Sequence, residues 1–226
     1  MATSSDKTST GRLIFVPTLI TLIITLLRVY GELHNWPAPW FSRAAGGGGA
    51  LIGISWLPVF FGPYFAVRLA RAGDGPSGAG KAIGFALLGA IVWVGGAVIL
   101  NKTEAHPSIL TLLGLLIMFG AAFIPASAWG SLGRTLFAYA FAARIPVLIV
   151  MFIAMQGNGG QGWGTHYDVV PASFASRGLW VRFVNFALLP QMLLWIGYTV
   201  VVGAIFGGIA AAVAGRRKPA AQPAAS

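Results

Sequence analysis

Six stretches of nearly uninterrupted apolar residues, at about 13–30, 49–69, 82–100, 109–128, 136–155 and 183–213, take up most of this chain. Each approaches or exceeds the roughly 20 residues a helix needs to cross a hydrocarbon layer. Inside such a layer only helices and closed barrels satisfy every backbone N–H and C=O. Composition agrees: 57% of the residues are hydrophobic and 9% are charged, against about 25% charged in a soluble domain. The expected fold is therefore all-α: a bundle of about six transmembrane helices in a multi-pass protein of the plasma (inner) membrane, with the lipid bilayer as its first partner. The last run is long enough to tilt, to extend beyond the bilayer or to break near Leu189-Pro190-Gln191.

Lys7 and Arg12 precede the first run as they would in a secretory signal, but no small-residue cleavage pattern follows directly, so the segment reads as an uncleaved first helix. Residues 1–11 are Ser/Thr-rich and 216–226 are Ala/Pro-rich behind a basic cluster, which marks both as disordered cytoplasmic tails around one domain, 12–215. Orientation follows from the basic residues. With the N-terminus inside, Lys7, Arg12, Arg68, Arg71, Lys81, Arg134, Arg216, Arg217 and Lys218 fall on the inner side. Arg28, Arg43, Lys102, Arg177 and Arg182 then fall outside, and the bias favours N-in and C-in.

The charge of +10 suits orientation and lipid contact rather than nucleic acid. Cysteine is absent, which removes disulfides and thiolate metal sites. One stretch, GPSGAGKA at 75–82, is a near miss for a phosphate-binding loop. Gly75, Gly80 and Lys81 fit G-x-x-x-x-G-K-[ST], but Ala82 lacks the hydroxyl that holds magnesium, and the stretch lies between two apolar runs rather than after a buried strand. No nucleotide is expected. Gly203 and Gly207 form a G-x-x-x-G that permits close helix approach, within the chain or in a homo-oligomer.

Few residues carry chemistry. Arg144, in AFAARIPVL, lies about ten residues into the fifth run, roughly 15 Å from its start at the helical rise. An ionisable group at that depth is a functional candidate by default, and Arg144 is a candidate contact for an anionic ligand. Gln191 and Asn185 on the last run are polar enough to line a cavity, and Gln191 is a candidate ligand contact. Arg43, close to Gly46–Gly49 and the expected start of the second helix, is a candidate anion contact at a helix N-terminus. No intramembrane Asp, Glu or His chain suggests a proton relay.

The three histidines each have an acid two positions away: Glu32 and His34, Glu104 and His106, His166 and Asp168. On the expected topology all three pairs share the outer face. Converged, they have the chemistry for a divalent metal as cofactor, imidazole nitrogens ligating while carboxylates balance charge. Three functional readings follow. The leading one is a non-catalytic membrane protein that binds a small ligand or lipid, or assembles with other membrane subunits. An outer-face metal-dependent enzyme is second, and a solute transporter third.

Overall fold

The computed structural model describes residues 9–47, 49–103 and 107–215, and within them the chain is all-helical. The helices in order are α1 (Thr10–Leu33), α2 (Leu57–Arg71), α3 (Ala79–Lys102), α4 (Ile109–Gly120), α5 (Phe123–Ala128), α6 (Gly130–Gly160), α7 (Leu179–Phe183) and α8 (Trp195–Gly215). A wide-turned π-helical stretch, Val184–Leu188 and Pro190–Leu194, joins α7 to α8. Among the described residues five segments are long and apolar enough to cross a membrane: Thr10–Leu33, Ala79–Lys102, Ile109–Ala128, Gly130–Gly160 and Leu179–Ala214.

The second apolar run behaves differently from its neighbours. Helix forms only over the 15 residues of α2, because the preceding segment is committed elsewhere. Gly46 and Gly49 take positive φ, and the Leu51 and Ile52 amides donate to the Pro39 and Trp40 carbonyls at 3.0 and 3.1 Å. Pro58 then opens the helix at a position where its missing N–H removes nothing.

Helix α8 is the hub and packs on α2, α3 and α6, while α1 leans mainly on α6. The Gly203 backbone lies against Gly62 of α2 while a Cβ on Gly203 would meet Leu136 of α6, and Gly207 lies against Gly62 and Ala66 of α2. A Cβ added at Gly62 would collide with the Gly203 backbone, and one at Gly207 would stand 3.0 Å from the Gly62 carbonyl. The G-x-x-x-G therefore brings two helices of this chain together. Around that contact lies the main core, with Phe65, Leu136, Tyr139, Ile196 and Val200 among its buried members. A second cluster, Val147, Met151, Met155, Tyr167 and Ala187, lies between α6, the 161–178 loop and the π-helical stretch.

Helix α1 shows an inverted amphipathicity. Its buried stripe is Pro17, Thr21, Thr25, Arg28 and Glu32, whereas Phe15, Leu19, Ile23 and Leu26 face outward. The spacing of three and four residues puts the polar groups on one side. Thr21 and Thr25 return their hydroxyls to the carbonyls four residues earlier, at 2.8 and 2.9 Å, and the Thr21 hydroxyl also meets the Tyr139 hydroxyl of α6 at 2.9 Å. Arg28 thus belongs to the buried face of a helix and not to an outer loop, and one charge leaves the orientation count. The segment 75–82 runs from the α2–α3 link into the first turn of α3, with the Lys81 ammonium 5.8 Å from the centre of the Phe85 ring.

Candidate functional site: a polar-ended cavity under a long loop

At its last turn α1 carries a buried carboxylate. Glu32 is fully buried, and its Oε1 accepts from Arg28 Nε at 2.8 Å, a pair one helical turn apart. The other partner comes from far along the chain. His166 donates its backbone N–H to Glu32 Oε2 at 2.9 Å, and its ring Nδ1 lies 2.5 Å from Oε1. Against an ionised carboxylate Nδ1 carries the proton, which leaves Nε2 as the acceptor nitrogen. Arg28 also donates to the Ser42 carbonyl at 3.0 Å, and its guanidinium fills the space a Cβ on Gly53 would take. One carboxylate thereby fastens α1, the 42–53 segment and the 161–178 loop.

The loop is built to reach it. Asp168 accepts from the Gly164 and Thr165 amides at 2.9 and 2.8 Å and from the Thr165 hydroxyl at 2.5 Å, closing a tight turn. Gly162 and Gly164 take positive φ in that turn, which side-chain-bearing residues rarely adopt. The turn presents His166 to Glu32 and sends the Tyr167 hydroxyl toward the Thr25 carbonyl, 3.4 Å away.

Beneath the loop is a cavity of about 560 Å³. Its walls come from α1, the 45–56 segment, α6, the loop and the π-helical stretch, with Leu100, Thr111 and Leu115 contributed by α3 and α4. Most of the lining is apolar, including Ile24, Val147, Met151, Val170 and Leu194. The polar lining groups include Thr25, Arg28, Ser55, Arg144, His166, Asn185 and Gln191. Pro190 supplies no N–H to the helical ladder, and the wide turns around it set Asn185 and Gln191 on the cavity wall.

Arg144 is 4% exposed. Its Nη1 donates to Gln191 Oε1 at 3.3 Å, and its guanidinium carbon stands 4.8 Å from the centre of the Trp195 ring. Gln191 in turn points its amide nitrogen at Met151 Sδ, 3.6 Å away. Arg144 Nε has no hydrogen-bond partner among the described residues.

The expected site residues thus separate into groups. Arg144 and Gln191 meet on the cavity wall. Arg43 does not line it; its guanidinium caps the Glu32 backbone carbonyl at the end of α1. The helix start expected beside Gly46–Gly49 lies at Leu57 instead. Glu32 joins His166, not its sequence neighbour His34, which is exposed and stacks on Tyr30 with ring centroids 3.9 Å apart. Asp168 is occupied by its own turn. Glu104 and His106 lie outside the described residues, and among the described residues no three His, Asp or Glu side chains are grouped so as to hold a metal ion. The Arg28–Glu32–His166 cluster was not anticipated, although Thr21, Thr25, Arg28 and Glu32 carry its signal in their spacing.

Burial pushes the His166 imidazole below its ordinary value. Arg28 acts in the same direction, while the bond to Glu32 and the charges of Glu32 and Asp168 oppose it. His166 is therefore neutral in the folded protein at neutral pH, and an unfolded chain with a value of about 6.5 takes up the proton first as the medium is acidified. The stability this contributes is present above about pH 6.5 and is lost as pH falls through the folded-state value. Thermal unfolding in detergent, followed by tryptophan fluorescence, is expected to give a midpoint that falls between pH 7 and pH 5. His166→Asn, which keeps an N–H for Glu32 but cannot titrate, is expected to have a shallower slope; equal slopes would remove His166 from the account.

No protein-family model, curated protein or solved structure matches this chain.

Proposed function

We propose that this is a non-catalytic integral membrane protein that binds a small, largely apolar ligand in the cavity beneath the 161–178 loop. The observation that carries the reading is the cavity itself. Its volume of about 560 Å³ lies within the range of small-molecule sites, roughly 300–1,000 Å³, and its mostly apolar wall with a few placed polar groups has their composition. The π-helical stretch supports the reading, since such turns occur frequently at functional sites.

The topology we propose has six crossings, with both termini on the cytoplasmic side of the inner membrane. Helix α2, with 15 residues, is about 22 Å long at the standard rise, short of a hydrocarbon core of about 30 Å. The irregular segment before it completes the crossing. Non-helical backbone is tolerated at that depth where it is buried in protein or lines a cavity, and residues of 45–56 line this one. The outward apolar faces, such as Phe15, Leu19, Ile91 and Ile149, are then the lipid-facing surface.

An outer-face metal enzyme is a weaker reading, because both Glu32 oxygens are engaged and Asp168 closes a turn. Native mass spectrometry of protein extracted in mild nonionic detergent tests the binding reading. A discrete small-molecule adduct on the folded chain is expected. Bare protein accompanied by co-purifying polypeptides would favour assembly with other membrane subunits instead.

A further inference from the structure

We infer that the ligand is a singly charged oxyanion on an apolar body, a carboxylate or a phosphodiester, with its charged group held by Arg144. The inference rests on the binding reading above and adds the chemistry of the ligand.

Charge accounting within the cavity leads to it. A guanidinium offers five N–H donors and keeps its charge in proteins. At Arg144 the described structure shows one hydrogen bond, at 3.3 Å, and leaves Nε without a partner. Trp195 stacks near the cation but accepts no N–H in the plane of the fork. An uncompensated charge removed from water costs several kcal/mol, so buried cations are paired with anions.

No described carboxylate of this chain plays that part. Glu32 is held by Arg28 and His166. Asp168 is held by the Gly164 and Thr165 amides. Asp74 sits beside α2 on the link to α3, where its backbone carbonyl accepts from the Trp129 indole at 2.8 Å and from the Ser131 hydroxyl at 3.0 Å.

The second cation on the wall, Arg28, already has its carboxylate in Glu32. His166 belongs to the same cluster, its ring Nδ1 on Glu32 Oε1. Among the described residues Arg144 is therefore the cation of the wall without a carboxylate, and it calls for one negative charge. The fork geometry of a guanidinium matches two oxygens of a carboxylate or phosphate. The side chains of Ile24, Leu115, Val147, Val170 and Leu194 offer no hydrogen bonds, so the remainder of the ligand is apolar. A free inorganic anion would leave most of that wall uncovered.

The test is saturable binding of tritiated decanoate to the full chain in nonionic detergent at pH 7.5, with unlabelled decanol, phosphatidylglycerol and inorganic phosphate as competitors. Decanoate is expected to bind at least tenfold more tightly than decanol, and inorganic phosphate is expected not to compete. Arg144→Gln is expected to abolish the preference for decanoate, and Arg144→Lys, which keeps the charge but loses the fork, to retain part of it. If Arg144→Gln does not fold, the comparison of decanoate with decanol on the wild type still decides. Competition by phosphatidylglycerol assigns the site to a lipid headgroup and its absence to a free acid; either supports the inference.

Equal binding of decanoate and decanol would overturn the anion and leave the cavity reading standing. Saturable binding of neither would overturn both. Glu104→Gln is the control for a counterion from within the chain. Decanoate binding that appears only after this substitution would place the partner of Arg144 inside the protein and overturn the inference.

Discussion

Replacing Glu32 with Gln is expected to destabilise the protein by about 3–5 kcal/mol, the loss that follows when one partner of a buried ion pair is removed. The shape is retained and the charge is not. Arg28, 8% exposed, would lose its carboxylate, and the His166 ring and amide would face a neutral side chain. Because Glu32 joins α1 to both the 42–53 segment and the 161–178 loop, the roof of the cavity should loosen along with the helix end. Removing both charges, as in Arg28→Gln with Glu32→Gln, should recover much of the loss, since no uncompensated charge then stays buried. Thermal or denaturant unfolding in detergent measures the difference. A loss below about 1 kcal/mol for Glu32→Gln, the range of an exposed pair, would contradict the buried cluster.

Gly62→Ala is the second large effect. The new methyl meets the backbone of α8, including the Gly203 Cα at 2.7 Å, and backbone cannot rotate aside. The helices must separate, at a cost of about 1–3 kcal/mol for overpacking. Gly84→Ala gives the opposite sign. Nothing lies within 4 Å of a Cβ at Gly84, and exchanging Gly for Ala inside a helix stabilises by about 0.5–1 kcal/mol. A loss at both sites would mean that space at α2 and α8 does not explain the first.

Helix content was legible in the sequence wherever an apolar run exceeded the span of a membrane, because a helix is the structure that satisfies backbone polar groups there without neighbours. The late start of helix in the second run, at Leu57, was harder to read. It depends on glycines at positive φ and on amides paired with the 37–41 turn, a contact that hydropathy does not register. The meeting of Arg144 with Gln191 was legible only as two polar residues at membrane depth. The π-helical turns that place Gln191 were not legible beyond a proline at 190.

The histidines show the same limit most clearly. Residues two apart on a helix do not face each other. Glu32 therefore turns into the bundle while His34 turns out onto Tyr30, although they are close in sequence. The partner of Glu32 is His166, 134 residues away. Its recruitment depends on the Asp168 turn, and no periodicity in the chain announces such a contact.

The cavity is the central claim, and a chain without cysteine allows it to be blocked at one atom. Ser55→Cys places the only thiol on the cavity wall, and Phe60→Cys places one on an outward face, at a residue 66% exposed. Each variant is modified with a benzyl methanethiosulfonate and weighed by native mass spectrometry for the small-molecule adduct. Modification at Ser55→Cys is predicted to eliminate the adduct, and modification at Phe60→Cys to leave it unchanged. An adduct that persists with the thiol at position 55 fully modified would contradict the account, because the ligand would then reside elsewhere on the protein.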